Sequence, residues 1–572
     1  MATVAEMLVS MLAEAGVKRI YGVVGDSLNS VVDAVRRDRR IQWIQVRHEE
    51  TGAFAAGAEA QLTGELAVCA GSCGPGHVHL INGLYDAHRS AAPVLAIAAH
   101  IPSSEIGTAY FQETHPERLF VECSHYCELI SNVGQMPRVP QIAMQTAMGR
   151  GGVAVIALPG DVAMQTAPDS PLRHNLAHIR ARVTPCDGEL EELAKMINAS
   201  ERVTLLCGAG CRGAHDQVVK LASLLKAPVV HSLRGKDRVE YENPNDIGMT
   251  GLIGFASGYL AMQTCDLLLM LGTDFPYDKF YPTECKIVQI DIRPEQLGRR
   301  SRLDLGLVGD VTETLRVLMP KLTTDRKGEH LEQSLRDYAE SRKRLDRHIG
   351  DCCRQRPIHP DYLAATVSEF AADDAVFTAD TGMCSVWGAR YLRMKKGRSL
   401  LCSFNHGSMA NALPQAIGAQ LLYPDRQVVC MAGDGGLGML MGDLLTVAQY
   451  DLPLKIVIFN NSTLGMVKLE MQVAGLPDFG TDFKHFHFAN IAAACGIPSL
   501  RVEEPGDVRD AIRQAMDHKG AMVVDAVTNP YELSMPPKVT REMAWGFSLF
   551  MLREIMAGNT VELLDEIKSN LR

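Results

Sequence analysis

Short, unbroken apolar runs alternate along nearly the whole chain with stretches patterned for helices, and each run is cut off by glycine, proline or a polar residue. A run such as 153–158, apolar on consecutive positions, needs both strand faces covered. Parallel sheets flanked by crossover helices meet that need. The pattern therefore predicts an α/β protein built from doubly wound parallel-sheet units.

With 572 residues the chain exceeds what one hydrophobic core can organise. Strands are expected near 20–24, 43–46, 66–70, 94–98 and 153–158, then a polar, proline-containing linker over 167–185. A second set is expected at 203–207, 228–231, 267–271 and 287–290, and a third at 375–378, 427–432, 454–459 and 522–526. The charged stretch 323–356 reads as a solvated helix and connector. The first residues read as a helix with Glu6 and Glu14 interleaved, not as a signal peptide. No run reaches the roughly 18 apolar residues that span a bilayer.

A formal net charge of -10, without a basic stripe, argues against binding nucleic acid. The fifteen cysteines are scattered, lack the repeated pairs of a zinc site, and fit reduced cytosolic thiols.

The most specific local feature lies in the third set. The run at 427–432 leads into Gly433, Asp434, Gly435 and Gly436, a helical pattern follows, and the next run ends at Asn460 and Asn461. This βαβ order sets Asp434 and Asn461 outside the carboxyl ends of neighbouring strands, where open parallel sheets bind ligands. Both offer the hard oxygens that magnesium prefers, and glycines let backbone N–H groups approach a diphosphate. A Gly-Asp-Gly turn alone also fits a plain turn. With Asn-Asn following after 24 intervening residues, it resembles the thiamine diphosphate motif. By that resemblance Asp434, Asn461 and the backbone carbonyl of Thr463 hold Mg2+. Gly435, Gly436 and the segment Asn461, Ser462, Thr463, Leu464, Gly465, Met466 and Val467 then surround the diphosphate.

That cofactor needs a carboxylate against its aminopyrimidine. Glu49 stands between the run at 43–46 and an alanine-rich helix carrying Ala53, Ala55, Ala56 and Ala58. Alone, such an acid also fits a first-turn partner of the helix dipole. The resembled family carries Glu at this corner, which assigns Glu49 the catalytic role and leaves Glu50 as a cap. By the same resemblance the glycine loop containing Gly74 borders the cofactor, Asn82 packs near the pyrimidine, and Phe111 and Gln112 face the substrate. The loop of His406, Gly407, Ser408 and Met409 supports a bent cofactor, with Met409 as the wedge between its rings. A buried core methionine is the alternative. His88, His100 and His115 fit acid–base or structural roles.

Gly208, Gly210 and Gly213 form a G-x-G-x-x-G pattern after a strand and before a helix, which predicts a dinucleotide. No clear acidic strand end about 20 residues on supports NAD. Further strand-end loops hold Gly251, Leu252, Ile253 and Gly254, then Asp274, Phe275, Pro276, Tyr277 and Asp278, then Asp291. With Arg234 and Asp310 they resemble the FAD-binding domain of pyruvate oxidases and acetolactate synthases.

Over essentially the whole chain, with long matches at 99–107 and 403–411, the sequence resembles the quinone-dependent pyruvate oxidases of bacteria, within the thiamine diphosphate enzymes. That resemblance implies a pyrimidine-binding domain at 1–182, a central FAD-binding domain at 183–335, a diphosphate- and magnesium-binding domain at 336–530 and a membrane-associating arm at 531–572. It implies oxidative decarboxylation of pyruvate to acetate and CO2, with electrons passing through FAD to ubiquinone. It also implies a homotetramer, cytoplasmic and peripherally attached to the inner face of the cell membrane. Met466 departs from a phenylalanine in that family. The arm carries Val561, Leu564, Ile567 and Leu571 near helical spacing, but its last twenty residues hold three basic and four acidic side chains. Apolar insertion into a phospholipid surface, rather than attraction to anionic lipid, is therefore expected. An acetolactate synthase-type carboligase and an inactive cofactor-binding regulatory or adaptor protein are the rival readings.

Overall fold

The computed structural model describes residues 1–169, 182–323 and 326–532. The expected arm from 533 onward and most of the linker lie outside the described residues.

Eighteen strands among the described residues form three six-stranded, all-parallel sheets. The first contains β1 (Arg19–Gly22), β2 (Gln42–Gln45), β3 (Ala67–Gly71), β4 (Val94–His100), β5 (Tyr126–Leu129) and β6 (Val153–Pro159), in the order β2-β1-β3-β4-β6-β5. The second contains β7 (Val203–Cys207), β8 (Val229–His231), β9 (Asp246–Met249), β10 (Leu267–Leu271), β11 (Lys286–Asp291) and β12 (Leu305–Val308), in the order β12-β11-β10-β7-β8-β9. The third contains β13 (Val376–Ala379), β14 (Ser399–Leu401), β15 (Val428–Gly433), β16 (Lys455–Asn460), β17 (Ser499–Val502) and β18 (Met522–Val527) and repeats the first order, β14-β13-β15-β16-β18-β17.

The thirteen strands expected from apolar runs are present. The five that were not expected, β5, β9, β12, β14 and β17, all stand at sheet edges. An edge strand pairs on one side only and tolerates residues such as Glu128 and Arg501, so its sequence lacks a continuous apolar run. Central strands β4, β6 and β10 are buried at every position.

The first helix, Val4–Glu14, starts with a capping box: Glu6 N–H donates to Thr3 Oγ1 at 3.2 Å and Thr3 N–H donates to Glu6 Oε2 at 2.8 Å. The charged stretch folds into the helix Glu329–Cys352, which buries only Ser334 and Cys352. The alanine-rich helix Glu49–Thr63 of the first sheet packs against helix Ala412–Leu422 of the third. The contact is close enough that a Cβ on Gly418 would strike the Ala55 carbonyl. Small side chains thus bring two sheets together at the helix that begins with Glu49. No helix of the described residues is long and apolar enough to cross a membrane.

Candidate active site

In the third sheet the chain turns opposite ways after β13 and β15, which opens a crevice between their carboxyl ends. Asp434 opens a helix directly after β15 and is buried. Its Oδ1 accepts the Gly435 N–H at 2.8 Å and its Oδ2 accepts the Ser462 N–H at 2.6 Å, so it spans the two strand-end loops. Burial pushes its carboxyl up to about 6. The paired asparagines split their roles. Asn460 donates to the buried Asp525 Oδ1 at 2.8 Å and belongs to the sheet, whereas Asn461 Oδ1 accepts the Thr463 N–H at 3.2 Å within the loop.

The loop is shaped around the glycines. A Cβ on Gly435 would sit 2.9 Å from Leu464 and 3.3 Å from Met409 Cε. Gly436 has no room for a side chain because Asp380, at the end of β13, occupies that space. Met409 is half-buried and leans over the Gly435 turn, while Ala410 beside it has φ of 66°. Gly465 approaches Asn461 and opens the helix Gly465–Val473, in which Met466 packs on the core of the third sheet and Val467 is exposed. The hydroxyls of Thr463 and Thr481 are buried with no hydrogen-bond partner among the described residues. Carboxylate, amide and hydroxyl oxygens beside a glycine turn are a donor set that suits a magnesium-bound diphosphate.

In the first sheet Glu49 opens its helix after β2 and is 8% exposed. Its Oε2 lies 3.0 Å from His79 Nδ1, and the His79 side chain is 44% exposed and stacks on His48 at 4.4 Å. A Cβ on Gly76 would be 3.2 Å from Glu49 Oε1, so the glycine loop closes over this carboxylate. Glu50 accepts from Asn82 Nδ2 at 2.7 Å. Gly74, with φ of 66°, packs on Gln112, whose Oε1 accepts from Cys73 Sγ at 3.2 Å; Phe111 is 78% exposed.

Asn82 joins the two regions: its Nδ2 donates to Ser408 Oγ at 2.9 Å and its Oδ1 lies 2.8 Å from His406 Nε2. Gly407, with φ of 72°, turns that loop, and Ser403 beneath it donates to the buried Asp86 at 2.7 Å. The other histidines stand elsewhere. His88 accepts the Val153 N–H at 3.4 Å, His100 accepts the Ile101 N–H at 3.0 Å, and His115 faces Glu117 at 3.5 Å.

His79, Asp380, Asp86 and Asp443, the last accepting from Thr51 of the Glu49 helix, were missed from sequence. His79 sits on the helix after the glycine loop and carried a readable signal, a histidine one turn beyond Gly74-Pro75-Gly76. The three aspartates contact residues distant in sequence and carried none.

The central sheet has the strand order of a dinucleotide-binding fold, with the switch point between β7 and β10. All six strand ends bear an expected residue: Gly208, Arg234, Gly251, Asp274, Asp291 and Asp310 follow or end β7, β8, β9, β10, β11 and β12 in turn. At the switch point a Cβ on Gly210 would lie 2.6 Å from Gly272 Cα, so only glycines allow the two turns to meet; Gly213 ends its turn with φ of 76°. Arg234 is half-buried and donates to the Ser90 carbonyl, at the end of helix Ile81–Arg89 beside the first sheet. Leu252 and Tyr277 are exposed, while Ile253 and Phe275 pack inward and Gly254 lies against Met249. Asp274 pairs with Arg300 at 3.0 Å, Asp278 opens a short turn after Pro276, Asp291 accepts the Arg293 N–H at 2.9 Å, and Asp310 caps helix Val311–Leu318.

Three family models fall in turn on the three sheets: the N-terminal thiamine pyrophosphate-binding domain at 2–119, which takes in β1 to β4, the central domain at 190–318 and the C-terminal thiamine pyrophosphate-binding domain at 380–526. The protein YdaP of Bacillus subtilis is 34% identical over 571 residues, covering 100% of this chain and 99% of that protein. The chain belongs to the thiamine pyrophosphate enzyme family. Within that family it is of the pyruvate oxidase and acetolactate synthase type. A pyruvate oxidase of Lactiplantibacillus plantarum is 31% identical over 91% of this chain and 87% of its own length. An uncharacterized 42.6 kDa protein in the isoamylase 3'region of Pseudomonas amyloderamosa is 60% identical over 60% of this chain and 87% of that protein. Family membership makes thiamine diphosphate, the same molecule as the pyrophosphate, the cofactor, and makes the activity one of decarboxylase or carboligase type.

Proposed function

We propose that this enzyme oxidises pyruvate to acetate and CO2 using thiamine diphosphate, Mg2+ and FAD, and delivers the electrons to ubiquinone at a membrane. The observation that carries this reading is the central sheet, whose strand order is of the dinucleotide-binding type and in which a residue expected to serve the flavin follows or ends each of the six strands. The likeness to a pyruvate oxidase over most of the chain supports the same reading.

Bound thiamine diphosphate supplies a carbon nucleophile that takes up the electrons left by CO2, and bound FAD supplies a two-electron acceptor. The protein's own groups hold and protect. Asp434, Asn461 and the Thr463 carbonyl would hold Mg2+, and the 461–467 loop with Gly435 and Gly436 would receive the diphosphate. Met409, leaning over that turn, would be the apolar wedge that supports the cofactor. Glu49 would hold a proton at its carboxylate, with His79 relaying it between that buried oxygen and solvent. Phe111 and Gln112 would face the substrate. The exposure of Phe111 in a single chain supports its being covered by another subunit, in keeping with a homotetramer. Pyruvate and water become acetate, CO2, two protons and two electrons, and the last two pairs convert ubiquinone to ubiquinol. The 531–572 arm would dock on phospholipid through its apolar positions, which vesicle flotation with and without pyruvate tests.

Anaerobic addition of pyruvate to the purified holoenzyme should bleach the flavin, ubiquinone should restore its colour, and acetate should accumulate. Acetolactate with the flavin still oxidised would replace this reading with the carboligase one. Bound cofactors without turnover would leave the regulatory or adaptor reading.

A further inference from the structure

The end of the long charged helix carries chemistry that the cofactor sites do not use. His348 and Cys352 are one helical turn apart on helix Glu329–Cys352, so they share a face. The chain then turns back, and helix Pro360–Phe370 begins beside them with His359 at its N-cap and Asp361 in its first turn. Glu532, after the last strand of the third sheet, closes the group.

Cys352 and Asp361 are fully buried, His359 and Glu532 are 5% and 4% exposed, and the His348 side chain is 19% exposed. One donor atom from each of His348, Cys352, His359 and Asp361 lies within 4.8 Å of all the others. His348 Nε2 is 3.0 Å from Asp361 Oδ2 and 3.2 Å from Cys352 Sγ. Ligands at tetrahedral zinc are separated by roughly 3.3–3.6 Å, given metal distances of about 2.0–2.3 Å. The group therefore needs only small adjustments to close on an ion.

The outer contacts match what a zinc ligand set requires. His359 Nδ1 lies 2.7 Å from Glu532 Oε2, so a proton on Nδ1 is held by a carboxylate and Nε2 carries the lone pair. Asp361 Oδ1 accepts the Tyr362 N–H at 2.8 Å, and Oδ2 accepts from Tyr391 Oη at 3.2 Å, which fixes its orientation. Two imidazoles, a thiol and two carboxylates packed together in a buried site are a costly arrangement without a cation to compensate the charge.

We propose that His348, Cys352, His359 and Asp361 form a structural zinc site, with Glu532 orienting His359. Four protein ligands leave no open position, so the ion would clamp the long helix to the third sheet without entering the reaction. The proposal is independent of the pyruvate reading.

Cobalt substitution of the full chain, purified under reducing conditions with thiamine diphosphate and Mg2+ present, tests it directly. The expected result is about one Co2+ per chain, with tetrahedral d–d bands and a thiolate-to-cobalt charge-transfer band, displaced by one equivalent of Zn2+. Cys352→Ser should abolish the charge-transfer band, and Glu532→Gln should lower zinc affinity about 10- to 100-fold. An octahedral spectrum, a missing thiolate band on the unmutated chain, or less than about one-tenth of an equivalent bound would overturn the site.

Discussion

Thr51 donates its hydroxyl to Asp443 Oδ2 at 2.7 Å, and so ties the helix that begins with Glu49 to the third sheet across 392 residues of sequence. Asp443 is fully buried, and its Oδ1 also accepts from the Arg47 N–H at 2.9 Å and from Thr446 Oγ1 at 2.7 Å. Removing this carboxylate strands three donors. Asp443→Ala should destabilise the enzyme by roughly 3–5 kcal/mol, and Thr51→Val by about 1.5–3 kcal/mol. Differential scanning calorimetry should show both transitions lowered, with turnover falling as the helix loses its anchor; an unchanged transition in Asp443→Ala would rule out the anchor.

Glu49 and His79 form the pair through which a buried carboxylate reaches solvent. Glu49→Gln keeps the shape and removes the charge. Turnover should drop by about 10²–10⁴-fold, while thiamine diphosphate content, measured as thiochrome fluorescence after gel filtration, stays near that of the parent. Turnover retained within a few-fold would remove Glu49 from the mechanism.

The glycine at 436 is dictated by Asp380. A methyl group there would strike the Asp380 carboxylate, which is itself buried and pushed up to about 7 by desolvation. Gly436→Ala should therefore abolish cofactor retention, and the double variant with Asp380→Ala should recover part of it by vacating the space. Equal loss in the single and double variants would show that the collision is not the cause.

Asp86 gives the fold a pH dependence. Burial pushes its carboxyl up to about 6, although Ser403 donates to it at 2.7 Å and Gln415 at 3.3 Å. A folded-state pKa above the unfolded one contributes stability that is complete below about pH 4 and is lost as pH rises through about 6. The shift corresponds to about 3 kcal/mol. Asp86→Asn, neutral throughout, should flatten the stability–pH curve between about pH 4 and 6 relative to the parent. Denaturant melts across that range should reveal the difference, and parallel curves would exclude Asp86 as its source.

Much of this was written locally. Consecutive apolar positions, as in β4 and β6, suit only strands covered on both faces, so the interior of each sheet was legible from single runs. The glycines at 208, 210, 435 and 436 were legible because a strand followed by a tight turn and a helix leaves a local mark. The Asp434 and Asn461 pair was legible because a βαβ unit puts successive strand ends on one edge.

Tertiary structure decided what depends on neighbours remote in the chain. Edge strands pair on one side and escape the apolar rule, so β5, β9, β12, β14 and β17 carried no clear signal. The Glu49–His79 pair, the Asp380 wall behind Gly436 and the Thr51–Asp443 anchor bring together side chains with no shared periodicity. Cys352 looked like one scattered thiol among fifteen until the fold set it beside two histidines and an aspartate. Periodicity and turn chemistry determine which elements form; only the packing of those elements decides which polar groups meet, because their energies depend on burial and distance that no local window contains.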